Sequence, residues 1–223
     1  MILVVEDEKP ISDLLRLYLQ REGFTVHAEF DGPGGLSAAR TKHPAAIVLD
    51  VGLPGIDGTE VCRTLRDEGN WVPIVFCTAR DDEVDRILGL ELGADDYVTK
   101  PFSPREVVAR VKSLVRRASL TQDSSPLLVR GRLSLDSTQR RVFIGEDEVS
   151  LTATEFDLLE RLMSHPGRVF SRDQLLSDVW GYASVVGTRT VDVHVAQLRA
   201  KLGDDSPIRT VRGVGYACEV ERS

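Results

Sequence analysis

The sequence predicts two domains of different class: a doubly wound α/β domain with a five-stranded parallel sheet over residues 1–118, and a smaller α+β domain over residues 127–223, joined by a linker at 119–126. Three observations carry this reading. Up to about Ala118, five short apolar runs alternate with segments of helical apolar period, the rhythm of βαβ units. The stretch ASLTQDSSP that follows is small and polar, a linker by composition. Beyond it come four short strand-like pieces, three helix starts and a closing hairpin.

The runs of the first half are ILVV, FTVHAEF, AAIVL, PIVFC and DYVT. The first helix carries Ile11, Leu14, Leu15, Tyr18 and Leu19 on one stripe and stops before Gly23, a C′ glycine. The last starts with Ser103 as N-cap, Pro104 at N1 and Glu106 as capping-box partner, and turns Val107, Val108, Val111, Leu114 and Val115 inward. In the second half, LLV, RLSLD, RRVFI and EVSL read as a meander. Thr152 with Glu155 and Ser171 with Gln174 each make a capping box, Thr188 or Thr190 caps the third helix, and IRTVRGVGYACEV is a hairpin turning at Gly213 and Gly215.

A chain of 223 residues, 42% hydrophobic, has material for real cores. Its charge, 28 − 35 = −7, repels nucleic acid overall, so any nucleic-acid site must be local. Cys62, Cys77 and Cys218 form no C-x-x-C pair and read as small buried hydrophobes rather than a disulfide framework or zinc site. His27, His43 and His165 read as surface or loop residues, and Trp71 and Trp180 as packing anchors. No apolar stretch is long enough to cross a bilayer and no basic leader precedes ILVV, so the expected location is a reduced cytoplasm without membrane contact. There is no Walker A loop and no H-E-x-x-H.

The strand ends carry the chemistry. ILVV is followed by Glu6 and Asp7, AAIVL by Asp50, PIVFC by Thr78 and DYVT by Lys100. In an open parallel sheet, ligands bind outside the carboxyl ends of the strands, so these groups are delivered to one edge. Singly, each reads as a turn or cap residue. Together, three carboxylates favour a hard divalent cation bound through oxygen, Mg²⁺ above all, while Lys100 and Thr78 add an ammonium and a hydroxyl. Such a set suits a phosphoryl group in transfer, where catalysis is mostly positioning and neutralisation of charge.

On these residues a family resemblance rests. VVEDE, VLDVGLPGIDG, CTAR and GADDYVTKPF resemble the receiver domain of bacterial two-component response regulators, a flavodoxin-like fold, and the downstream half is similar to the winged-helix effector of the OmpR/PhoB subfamily. The resemblance implies that Asp50 accepts phosphate from a sensor histidine kinase, that Glu6, Asp7, Asp50 and the backbone carbonyl of Gly52 hold Mg²⁺, and that Thr78 and Lys100 bind phosphoryl oxygens. It implies a cis Lys100–Pro101 bond and a switch pair, Thr78 and Tyr97. It further implies a symmetric homodimer on phosphorylation, pairing Arg86 with Glu106, Asp96 with Arg110 and Asp95 with Lys112 across subunits; spacing alone makes Glu106 and Arg110 an ordinary solvated i,i+4 pair. Such a regulator would bind promoter DNA, with RNA polymerase as a further partner.

In TRTVDVHVAQLRAKLG, Val191, Val195, Leu198 and Leu202 form the core face, and Arg189, Val193, Ala196, Gln197 and Ala200 the opposite one, with His194, Arg199 and Lys201 at its margins. As the recognition helix, it would use Gln197 on adenine, Val193 on a thymine methyl, Arg189 or Arg199 on guanine or phosphate, with Arg212 at a wing tip. Subfamily members often carry Arg where this chain has Ala196 and Gln197, which points to weaker single-site binding and more reliance on dimerisation. Two rivals stand beside this reading. A haloacid-dehalogenase-type phosphohydrolase would need D-x-D after the first strand, where this chain has Glu6-Asp7; a receiver acting through protein contacts alone would select no DNA sequence.

Overall fold

The structure, a computed structural model, describes residues 1–78, 92–119, 127–181 and 189–219. The chain divides into two compact units, Met1–Arg116 and Arg117–Ser223.

In the first unit β1 (Ile2–Val5), α1 (Lys9–Arg21), β2 (Val26–Glu29), α2 (Gly32–Lys42), β3 (Ala46–Asp50), α3 (Gly58–Asp67), β4 (Ile74–Thr78), β5 (Asp96–Thr99) and α4 (Pro104–Ser119) succeed one another. The five strands are parallel in the order β2-β1-β3-β4-β5. A parallel sheet covered on both faces needs strands apolar on both sides, and β1, β3 and β4 are buried along their whole length. β2, at the edge, is only half-buried, which is why its sequence mixes His27 and Glu29 with valine and alanine. The chain leaves β1 for β2 on one side and returns to β3 on the other, so the order reverses between β1 and β3; the crevice above that reversal is where such sheets bind ligands.

The helices turn their expected faces to the core with one difference. Leu15 and Leu19 of α1 are fully buried and Ile11 and Tyr18 pack against the core, but Leu14 lies at the margin, 41% exposed. The helix ends at Gly23, whose φ of +87° only glycine adopts easily and whose N–H donates to the Gln20 carbonyl. Asp31 caps α2 and Asp57 caps α3, each accepting a backbone N–H. From α4, Val107, Val108, Val111 and Leu114 meet Ile2, Val4, Val48, Val75 and Val98 beneath the sheet. The Lys100–Pro101 bond is cis.

The second unit begins with an antiparallel meander of β6 (Leu128–Arg130), β7 (Leu133–Asp136), β8 (Arg141–Ile144) and β9 (Asp147–Glu148). Three helices follow: α5 (Ala153–Met163), the short α6 (Arg172–Leu175) continuing into a π-turn at Leu176–Trp180, and α7 (Arg189–Leu202). Both expected capping boxes form, Thr152 with Glu155 and Ser171 with Gln174. Thr190 lies within α7 and is buried, so it is not a cap; Thr188 and the linker at 120–126 fall outside the described residues. Trp180 is fully buried among Phe156, Leu159, Val191 and Val195.

The hairpin of β11 (Ile208–Val211) and β12 (Gly215–Cys218) is joined by β10 (Phe170–Ser171) into a three-stranded sheet, an addition to the expected two strands. Gly213 makes the turn, with φ +74°, whereas Gly215 belongs to β12. Its requirement is space: a Cβ there would lie 2.0 Å from the Phe170 carbonyl oxygen.

Gly58 answers the same demand in the first unit, where a Cβ would stand 2.1 Å from the carbonyl oxygen of Asp50. The close approach seats the start of α3 on the end of β3, and the Gly58 N–H donates to the Val51 carbonyl at 2.9 Å. Gly58→Ala is expected to destabilise the first unit by about 1–3 kcal/mol, as an overpacked site does. Urea unfolding of the full chain checks this, and an unchanged midpoint would show that the loop moves aside freely.

Candidate functional site

Each apolar strand ends where the sheet edge reaches solvent, and the next residue can be polar. Glu6 follows β1, Asp50 closes β3, Thr78 closes β4 and Lys100 follows β5. The backbone holds these ends in register: the Val51 N–H donates to the Cys77 carbonyl, and the Lys100 N–H donates to that of Thr78 at 2.7 Å. Glu6, Asp7 and Asp50 each offer a carboxylate oxygen within 4.8 Å of the others. Glu6 and Asp50 are buried, 1% and 6% exposed, and Asp7 is exposed.

The Lys100 ammonium joins them, donating at 2.9 Å to Glu6 Oε1 and at 2.9 Å to Asp50 Oδ2, with Glu8 3.7 Å away. Burial pushes the Glu6 carboxyl up to about 7; the Lys100 hydrogen bond opposes this and the Asp50 charge adds to it. Burial also works against a charged Lys100, but hydrogen bonds to Glu6 and Asp50 outweigh it and hold the ammonium above its usual range. The Cys77 thiol beneath the site is pushed up, by burial and then by Glu6 and Asp50, so it is no nucleophile there.

Does this set fit a divalent cation? Three carboxylates and one ammonium leave a formal charge of −2 at one edge. Glu6 Oε2 is buried and accepts no hydrogen bond among the described residues, an oxygen that lacks a partner. Oxygen donors of this kind suit a hard ion, so the residues fit. The Gly52 N–H donates to Asp50 Oδ1 at 3.3 Å, which ties that backbone to the same carboxylate.

Thr78 is buried beside the site, and Tyr97, next to Phe76 across β4 and β5, is 7% exposed. Among the described residues, those expected at a dimer face have partners within the chain. Arg110, 2% exposed, donates to both Asp96 oxygens at 2.9 Å and to Glu106 at 2.5 Å, so it is not part of a solvated pair: α4 turns it toward the start of β5. Lys112 is exposed and meets Glu22 at 2.6 Å. Asp95 corrects the expectation. It is fully buried, accepting the Ile74 N–H at 2.9 Å and facing Arg66 at 3.5 Å, and offers no oxygen to a second subunit in this conformation. Arg66, unremarked in the sequence, also donates to the Gly93 and Asn70 carbonyls and lies over Trp71. Arg86 falls outside the described residues.

On α7, Val191, Val195, Leu198 and Leu202 are buried as expected, Arg189, Ala196 and Ala200 are exposed, and Val193 and Gln197 are half-buried. Arg212 and Val214 are exposed at the hairpin tip. His194, expected at the margin of the outer face, is instead 2% exposed; its ring packs edge-on against Trp180, with Nδ1 2.9 Å from the Thr190 carbonyl oxygen. Arg199 Nη2 donates inward, to the Ile208 carbonyl at 3.0 Å and Thr210 Oγ1 at 2.8 Å. A connected cluster that sequence reading missed, Arg172, Asp192 and Tyr216, lies beside it.

Comparison with known proteins agrees with both halves. The response regulator receiver domain family matches residues 2–112, and the family of C-terminal domains of transcriptional regulatory proteins matches residues 145–218. The chain is 46% identical to the alkaline phosphatase synthesis transcriptional regulatory protein PhoP of Bacillus subtilis, over 98% of this chain and 96% of that one. It is 47% identical to the transcriptional regulatory protein CreB of Escherichia coli, over 97% and 96%, and 49% identical to the phosphate regulon transcriptional regulatory protein PhoB of Rhizobium meliloti, over 98% of each. Among solved structures it is similar to a mutant of RitR, 32% identical over 98% of each chain with a TM-score of 0.77. With full-length relatives at this identity and a matching domain in each half, the chain belongs to the OmpR/PhoB subfamily of response regulators.

Proposed function

We propose that this response regulator is a phosphorylation-activated transcription factor in which Asp50 takes a phosphoryl group from the phosphohistidine of a sensor kinase. The observation that carries the proposal is the meeting of Asp50 with Glu6, Asp7 and Lys100 at the edge where the strand order reverses. A carboxylate oxygen of Asp50 attacks phosphorus, a P–O bond forms as the P–N bond to the kinase histidine breaks, and the departing imidazole keeps the nitrogen lone pair. Lys100 holds Asp50 before transfer and a phosphoryl oxygen after it, and the Thr78 hydroxyl donates to another. Glu6, Asp7, Asp50 and the Gly52 carbonyl would hold Mg²⁺, which when bound supplies neutralising charge to the phosphoryl oxygens. Water returns Asp50 slowly to the free carboxylate by hydrolysis of the acyl phosphate.

The dianion left on Asp50 changes the protein only by interacting differently with two conformations. Thr78 moving toward the phosphoryl group, with Tyr97 settling inward behind it, is the switch. Its readout is a symmetric dimer on the face of β5 and α4, where Arg110 exchanges its internal acceptors, Asp96 and Glu106, for those of a second copy. Arg86 joins this face, and the buried Asp95 is left out of it. The second unit binds promoter DNA, with Arg189, Val193 and Gln197 of α7 and Arg212 of the hairpin toward the duplex, and RNA polymerase as the further partner. The linker starts after Ser119, the last residue of α4 and one residue later than the sequence suggests, and runs to residue 126. Among the described residues no helix is long and apolar enough to cross a membrane, and we assign the chain to the cytoplasm.

Two measurements test this. A small phosphodonor with Mg²⁺ is expected to add one phosphoryl group to the wild-type chain and none to Asp50→Asn, by intact mass; equal labelling of the variant would remove Asp50 as acceptor. Sedimentation of the phosphorylated protein is expected to find a dimer for wild type and a monomer for Arg110→Glu, and an equally dimeric variant would show that the β5–α4 face is not the contact.

A further inference from the structure

The second unit holds a polar cluster that joins α6, α7, β11 and β12. Tyr216 of β12 is 5% exposed, and its hydroxyl donates to Asp192 Oδ1, in the first turn of α7, at 2.5 Å. Arg172, the first residue of α6, donates from Nε to the same oxygen at 2.7 Å and from Nη2 to the Tyr216 hydroxyl at 3.4 Å. Two guanidinium groups lie over the tyrosine ring, Arg172 at 5.1 Å and Arg199 at 5.9 Å from its centre. Arg199, in turn, binds the Ile208 carbonyl and Thr210 Oγ1 on β11.

Resting on the DNA-binding reading above, we infer that Arg172, Asp192, Tyr216 and Arg199 are positioning residues that lock the recognition helix to the wing hairpin, and that Arg199 acts through this brace rather than as a DNA contact. A helix in the major groove and a hairpin tip on the neighbouring backbone read one site together only if their separation is fixed, and base readout tolerates little misplacement. The cluster fixes it at both ends of α7: Asp192 in the first turn, Arg199 in the last. It also neutralises the half-exposed Asp192 carboxylate, which would otherwise face phosphate as a like charge at the end of the helix directed into the groove. Burial, and after it the hydrogen bond and charge of Asp192, hold the Tyr216 phenol above its usual range, so it stays a donor.

Positioning and phosphate contact leave different signatures. A lost phosphate contact weakens binding to all sequences and lowers the salt slope by about one, whereas lost positioning weakens only the specific complex. The test selects a preferred duplex for the phosphorylated full-length wild type from a random pool, then measures affinity for that duplex and for a random duplex across salt. Tyr216→Phe, which removes one oxygen and keeps the ring, and Arg199→Ala are each expected to lose about tenfold or more on the selected duplex while random-duplex affinity and salt slope stay at wild-type values. Arg212→Ala, a direct contact, is expected to lower both affinities and the slope. Wild-type affinity of Tyr216→Phe for the selected duplex overturns the brace. A reduced slope for Arg199→Ala makes Arg199 a phosphate contact and overturns its part. If Arg199→Ala melts below the assay temperature, Arg199→Lys, which keeps charge but not the fork, takes its place with the same expectation. Failure of the wild type to select any sequence overturns the DNA-binding reading itself, a result distinct from either.

Discussion

Two carboxylates in a nearly dry crevice repel each other, and the ammonium of Lys100 between Glu6 and Asp50 is what lets this chain keep them together. The rest of the first unit serves that contact. Burying the strands on both faces forces continuous apolar runs, so charged groups can appear only at strand ends; a parallel sheet puts all those ends at one edge; and the order reversal opens the edge between β1 and β3. Glycine at position 58 lets α3 begin directly against the Asp50 carbonyl, which leaves the carboxylate at the mouth of the crevice instead of beneath a loop.

A single ammonium does not balance three carboxylates, and the imbalance is chemically useful. The raised Glu6 carboxyl, and an Oε2 with no hydrogen-bond partner among the described residues, fit a site that could take more positive charge than Lys100 provides. A divalent ion would supply it, and a phosphoryl group would then arrive at a neutralised edge. On the proposed function Lys100 would keep a partner in both states, since the oxygen it releases on Asp50 would be replaced by one on the phosphoryl group.

Much of this was legible in the sequence because residue type changes sharply where an apolar strand meets an edge: Asp50 after AAIVL and Lys100 after DYVT needed only period and polarity. The two capping boxes, Thr152 with Glu155 and Ser171 with Gln174, were equally plain, being local. What escaped was decided by partners distant in sequence. Arg110 and Asp96 are 14 residues apart and Arg172 and Tyr216 are 44 apart, so no window of local pattern contains them. Asp95 reads as a surface acid beside Asp96 until Arg66 is seen to face it. His194 projects roughly 60° from Val191 on a helical wheel, near enough to the core face to go either way. Trp180, arriving from the π-turn, decides it by covering the ring. Gly215 looked like turn chemistry because β10, only two residues long, has no period to announce the strand that crowds it.

The disposition of positive charge links the two units' tasks without any contact between them being needed. Between Arg189 and Arg212 the chain has Arg189, Arg199, Lys201, Arg209 and Arg212, but Arg199 is turned to β11 and Lys201 to the buried Glu155 at 2.6 Å. Arg189, Arg209 and Arg212 are exposed, and with a whole-chain charge of −7 around them, one copy binding DNA as proposed would neutralise few phosphates. So small a set would release few counterions and leave a single copy weakly bound at physiological ionic strength. Two copies held together convert the second engagement into an intramolecular one, at an effective concentration far above that of free protein, and so raise occupancy without any new base contact. On the proposed function, a modest recognition surface would be an advantage: it would keep an unphosphorylated monomer off DNA and make binding depend on whatever joins the copies, which is the property a phosphate on Asp50 would control.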